Sequence, residues 1–161
     1  MDDRYDLTRF AAAQEPLFDR VRAELAAGRK QSHWMWFVFP QLQGLGSSAT
    51  ARRYALASVE EARAYLAHPV LGARLRECTR LVNGTEGRTI EEIFGYPDYL
   101  KFRSCMTLFE RAAVDTGHGA GTASAGDAGG AQVFREALGK YFAGEEDPLT
   151  LRLLTSWACG I

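Results

Sequence analysis

Apolar residues recur along this chain at intervals of three and four, the spacing of one helix face, and almost nowhere at the interval of two that marks a half-buried strand. Leu7, Phe10, Leu17, Val21 and Leu25, with Gln14 among them, trace a stripe that predicts a helix opening after Asp6 as N-cap and stopping at Gly28. Pro16 interrupts it. A proline removes a backbone donor and clashes with the preceding turn, so the helix is expected to kink or restart there. Ser58 followed by Glu61 has the spacing of a capping box, for a helix running to His68. Pro69 suits the first position of the next helix, whose apolar face is Val70, Leu71, Leu75, Cys78 and Leu81 or Val82, closed by Asn83-Gly84. Thr89 and Glu92 repeat the capping-box spacing ahead of a short helix that ends at Gly95. Pro97 begins another, carrying Leu100, Met106, Leu108 and Phe109 toward Ala113. Val133, Phe134, Ala137, Leu138, Tyr141 and Phe142 rebuild the pattern, and Asp147-Pro148 opens a final helix through Leu151, Leu154 and Trp157.

Two stretches depart from this rhythm. Residues 117–130, "GHGAGTASAGDAGG", carry only small or polar side chains, which bury too little surface to offset ordering entropy, so a flexible loop is expected. Residues 28–48, "GRKQSHWMWFVFPQLQGLGSS", set a polar run against six large apolar residues and then a glycine-rich turn. The expected architecture is all-α: one compact domain over residues 1–161, built from six to eight helices with a single Gly/Ala-rich insertion.

Composition agrees. The chain has 161 residues, 47% hydrophobic and 24% charged, which suits one domain with a real core. Its formal net charge of −1 gives no global attraction to nucleic acid or to an anionic membrane, so neither is an expected partner. The run Trp34 to Phe39 falls far short of the ~20 residues that span a bilayer. The start "MDDRYDLTRF" is acidic rather than signal-like, so a cytoplasmic location is expected. Cys78, Cys105 and Cys159 are three, widely spaced and without a C-x-x-C motif. Disulfides, metal sites and cofactors are therefore not expected, and Cys105 is the residue to consider as a reactive thiol.

Burying Trp34, Trp36, Phe37 and Phe39 would contribute on the order of 8 to 12 kcal/mol, so these side chains read first as core. Packing does not account for their flanks. If the aromatic run folds inward, Arg29, Lys30 and His33 on one side and Gln41, Gly44, Gly46, Ser47 and Ser48 on the other emerge as a pocket rim. The glycines precede a helical pattern, "ATARRYAL", with Ser47 or Ser48 as N-cap. This is the arrangement of an anion site or of a plain capped turn, and the Gly-Lys-Ser/Thr ending of a phosphate-binding loop is missing. His33 is a candidate acid or base because imidazole titrates near neutral pH. In "GYPDYLKFRSCMTLF", Asp98, Lys101 and Cys105 share a helix face, as do Lys101 and Ser104. An ordinary i, i+3 ion pair on a solvated face is the first reading, and as a group able to bind a sugar or phosphate Asp98 and Lys101 join His33 as candidate catalytic residues. Arg29, Lys30, Trp34, Gln41, Gly44, Gly46, Ser47 and Ser48 are the candidate ligand-binding residues.

These segments, with "EARAYLAHPVLGARLREC" and "FREALGKYFAGEEDPLTLRLL", resemble a family of small bacterial and fungal proteins of unknown function that carries the signature "HWMWF-x-FPQ". The resemblance runs from about Asp6 to Leu154 outside the insertion. It implies a mainly α-helical domain and no established activity. A calpastatin-like label sometimes attached to the family conflicts with a chain composed to pack, since such inhibitors are largely disordered. The order of the aromatic run, "HPVLGARLRECT" and "IFGYPD" is also faintly similar to helical domains that process ADP-ribose-like N-glycosides, without matching residue by residue. Two functions are therefore expected to compete. One is binding of a small phosphorylated or nucleotide-like ligand, with hydrolysis of an N-glycosidic or phosphate-linked bond as its enzymatic form. The other is a noncatalytic module for protein interaction or self-assembly, favoured by an exposed Trp34 and Trp36 patch.

Overall fold

The regular spacing of apolar residues is realised as helices throughout. In the computed structural model, which describes residues 4–117 and 130–158, these are α1 (Thr8–Gln14), α2 (Phe18–Ala26), α3 (Met35–Val38), α4 (Ala49–Arg53), α5 (Val59–Ala67), α6 (Leu71–Asn83), α7 (Ile90–Phe94), α8 (Asp98–Gly117), α9 (Ala131–Phe142) and α10 (Pro148–Ala158). Ten helices among the described residues exceed the six to eight expected. Pro16 splits the first in two, and α3 and α4 are too short for periodicity to register. No strand occurs among the described residues. The flexible loop expected at 117–130 lies outside them except for its two ends, as does Cys159.

Local chemistry sets most boundaries. Thr89 and Glu92 form the full reciprocal capping box of α7, which Gly95 ends at φ 78°. At α5 the box is half made: Ser58 Oγ accepts from Glu61 N at 3.1 Å, while the Glu61 carboxylate reaches past Ser58 to accept from Ala57 N at 2.8 Å. Two expected starts move. Asp6 is not the N-cap of α1, since its backbone lies at φ 53°; Leu7 holds that place, and Arg9 binds the Asp6 and Tyr5 carbonyls instead. Pro69 is likewise not the first residue of α6. His68 Nδ1 accepts from Val70 N and Leu71 N, so the helix opens two residues later.

The amphipathic faces converge on α8, against which α5, α7, α9 and α10 pack; α6 joins α5, α9 and α2. Phe102, Cys105, Met106, Leu108 and Phe109 of α8 are fully buried. Near its start Phe102 stacks on Phe94 at 4.8 Å and meets Phe39 edge-on at 5.1 Å. Residues 34–39 do fold into the interior, with Trp34, Met35 and Phe39 at most 1% exposed; Trp36 alone stays half-buried. After Pro40 the chain makes one isolated parallel bridge, Leu42 with Leu56, through Gln43 N to Leu56 O and Leu56 N to Gln41 O. This pinch closes residues 43–55 into a surface loop that carries α4 and brings Gln41–Ser48 over the start of α8.

Candidate functional site

Between that loop, the start of α8 and the start of α10 lies a cleft of about 490 Å³. Its walls include Trp36, Gln41, Gly46, Ser47 and Ser48 from the loop side, and Lys101, Ser104 and Asp147 from the α8 side. A cavity of about 20 Å³ shares Trp36, Gln41, Gly46 and Lys101 with it and is also lined by Tyr54.

Behind the cleft wall, two ammoniums gather on Asp98. Its Oδ2 receives the Lys30 ammonium at 2.8 Å and its Oδ1 the Lys101 ammonium at 3.3 Å. Two ammoniums thus share one carboxylate, leaving one positive charge over within the cluster. The Lys30 side chain is only 8% exposed, whereas Lys101 is more open and reaches the cleft, its ammonium 5.4 Å from the centre of the Trp36 ring. One turn further along α8, Ser104 Oγ donates to Asp147 Oδ2 at 3.0 Å. The same oxygen accepts from Thr150 N and Thr150 Oγ1, which makes Asp147 the cap of α10, and Asp147 N donates to Thr107 Oγ1 at 2.9 Å.

A second carboxylate holds the segment before α3. Glu24 of α2 accepts from Gln31 N, Ser32 N and Ser32 Oγ, and from Trp34 Nε1 at 2.9 Å. Burial raises the Glu24 pKa, but these four donors outweigh it and the net shift is downward.

The structure brings together some of the residues singled out in the sequence. Gln41, Gly46, Ser47, Ser48 and Lys101 line the cleft, and Asp98 and Lys30 stand behind Lys101. Trp34 is fully buried with its indole committed to Glu24, so the tryptophan that faces the cleft is Trp36. Arg29 and His33 are exposed and outside the cleft lining, and Gly44 lies against Leu153. Of the two flanks of the aromatic run, Gln41–Ser48 supplies cleft-lining residues, whereas Arg29, Lys30 and His33 do not line the cleft and Lys30 pairs with Asp98 at the start of α8. The glycine turn is a capped turn: Ser48 Oγ accepts from Ala51 N at 3.0 Å, and α4 has just five residues, too few for a useful dipole. Cys105 is completely buried, which drives its thiol well above the ordinary pKa, and burial pushes Cys78 up to about 12. Neither is an activated nucleophile. Asp147 and Trp36 were not singled out for this site. Asp147-Pro148 is legible as a helix start, but nothing in sequence signals its approach to Ser104.

Among the described residues no three His, Cys, Asp or Glu side chains are gathered as a metal site, and no helix is long and apolar enough to cross a membrane. What fold and cleft define is an all-helical protein built on a central helix, with a charged pocket where three segments meet. The chain belongs to the family described as Protein of unknown function (DUF1810), which it matches over residues 4–154. It is also similar to the conserved hypothetical protein Rv1873 from Mycobacterium tuberculosis, known from a crystal structure: identity is 54%, the TM-score is 0.84, and the match covers 95% of this chain and 99% of that one. No curated protein matches it.

Proposed function

We propose that the cleft binds a small phosphorylated or nucleotide-like ligand. The observation that carries this reading is the sharing of Asp98 by Lys30 and Lys101, which leaves a positive charge displayed at Lys101 on the cleft wall. An anionic group docking there meets a cation already held in place, at less cost in side-chain ordering. The volume suits a ligand of nucleotide size, and Trp36 with Ser47, Ser48 and Gln41 supplies an apolar wall and hydrogen-bonding groups. Binding is favoured over hydrolysis: Asp98 is occupied by two ammoniums, and His33 lies outside the cleft.

The test is a thermal-shift series with nucleotides, NAD, ADP-ribose and sugar phosphates on wild-type protein and on Lys101→Ala. A ligand at 100 times its Kd stabilises by about 2.7 kcal/mol, and Lys101→Ala should abolish or sharply reduce the shift. Absence of any shift in the wild type overturns the reading.

One observation favours the interaction module instead. Tyr96 is 78% exposed, Leu149 43% and Leu100 39%; the two leucines line the cleft and Tyr96 adjoins Pro97, which lines it too. This apolar rim, rather than the expected Trp34 and Trp36 pair, is the surface a protein partner would cover. A concentration-independent monomer mass by light scattering would reject self-association through it.

A further inference from the structure

We propose that Asp147 selects the ligand of this cleft by accepting hydrogen bonds from sugar hydroxyls, while Lys101 on the same cleft wall holds the ligand's phosphate. The inference rests on the binding reading above and adds a substrate class to it: a phosphorylated sugar or ribonucleotide with free vicinal hydroxyls, in preference to its deoxy counterpart.

The two oxygens of Asp147 are in different situations. Oδ2 takes three donors, Thr150 N, Thr150 Oγ1 and Ser104 Oγ, and with the bond from Asp147 N to Thr107 Oγ1 they fix the carboxylate against α8. The capping of α10 is thus complete on one oxygen. No described residue donates to Oδ1, and the residue lines the cleft. A helix cap needs only one acceptor, for which serine, threonine or asparagine would serve as well as aspartate. The carboxylate therefore supplies an acceptor beyond the cap's requirement, immobilised in advance and carrying negative charge. Lys101 and Ser104 are three residues apart on α8, a rise of about 4.5 Å between their backbone positions, and Lys101, Ser104 and Asp147 line the same cleft. A ligand spanning Lys101 and Asp147 must present an anion to one and hydrogen-bond donors to the other. A sugar phosphate does so, and an acidic side chain is a standard acceptor for ribose hydroxyls at nucleotide sites.

The experiment is calorimetric titration of the full chain with AMP and with 2′,3′-dideoxy-AMP, on wild type and on Asp147→Asn. Asparagine keeps the shape, and its carbonyl oxygen can still accept from Thr150 and Ser104, but it places an amide donor where Oδ1 was an acceptor. Wild type should prefer AMP by about tenfold or more, the factor expected of a hydrogen bond to a charged group, and Asp147→Asn should reduce the preference to near unity. Dideoxy-AMP should bind both proteins similarly, which also shows the variant folded. Equal binding of the two nucleotides by wild type, or a preference that survives Asp147→Asn, overturns the role of Asp147 while leaving the binding reading intact. If neither nucleotide binds wild type and the thermal-shift series is also empty, both fall together.

Discussion

The Lys30 ammonium lies 2.8 Å from Oδ2 of Asp98, tying the segment before α3 to the first residue of α8. The Lys30 side chain is almost wholly buried, so that carboxylate supplies the compensating charge. Removing one member of a buried pair costs about 3 kcal/mol or more, since the other is left uncompensated. Asp98→Leu should therefore lower Tm by roughly 6 to 12 °C for a chain of this size. The double variant Lys30→Met/Asp98→Leu should recover a large part of the loss. Equal Tm values for single and double variants would show that the pair is not coupled.

Glu24 makes stability depend on acid. Its folded pKa is lowered, so it contributes stability above its unfolded value of about 4.5, and that contribution is lost as pH falls through the lowered folded value. Glu24→Gln should be less stable than wild type at neutral pH, and the gap in urea midpoints should close as the pH drops below the ordinary carboxylate range. A gap independent of pH would mean that the ionised carboxylate is not what holds Gln31, Ser32 and Trp34.

Glu110 acts in the opposite sense. Burial and the neighbouring Glu146 carboxylate raise its pKa, against the Arg135 guanidinium 3.0 Å from its Oε2. A carboxyl raised in the folded state stabilises below its unfolded pKa and loses that contribution as pH climbs through the raised value. Arg135 is half exposed, so its pairing offsets little. Glu110→Gln should therefore gain on wild type in Tm as pH rises from acidic to neutral. No relative gain over that range would contradict the shift.

At the crossing of α5 and α6, a Cβ on Gly72 would stand 2.1 Å from the Leu66 carbonyl oxygen, a contact that only backbone movement relieves. Gly72→Ala should cost about 3 kcal/mol through this overpacking, although alanine is the better helix former. Chemical denaturation measures it, and a neutral result would show that the two helices can separate cheaply.

The buried thiols give a separate check. In a Cys159→Ser background, Cys78 and Cys105 should resist alkylation in native protein at neutral pH and react on unfolding, because both are enclosed and both thiols are raised. Rapid native labelling of Cys105 would return it to candidacy as a nucleophile.

Helix identity was written locally in this chain. Apolar spacing at three and four marks which face turns inward, and the Thr89–Glu92 box and the break at Pro16 depend only on neighbours within a turn. The same locality made Lys101 and Ser104 legible as one face of α8. What sequence could not show was the meeting of remote segments. Trp34 and Trp36 are two residues apart, yet one donates to Glu24 from the core and the other faces the cleft; the turn of α3 and the reach of Glu24 decide that. Lys30 leaves its neighbours Arg29 and His33 to pair with Asp98, and Asp147 arrives beside Ser104 from 43 residues away. The Asp98–Lys101 pair, three residues apart on α8, is local and legible in sequence, whereas the Lys30 and Asp147 contacts are made by the packing of whole helices and belong to the tertiary structure.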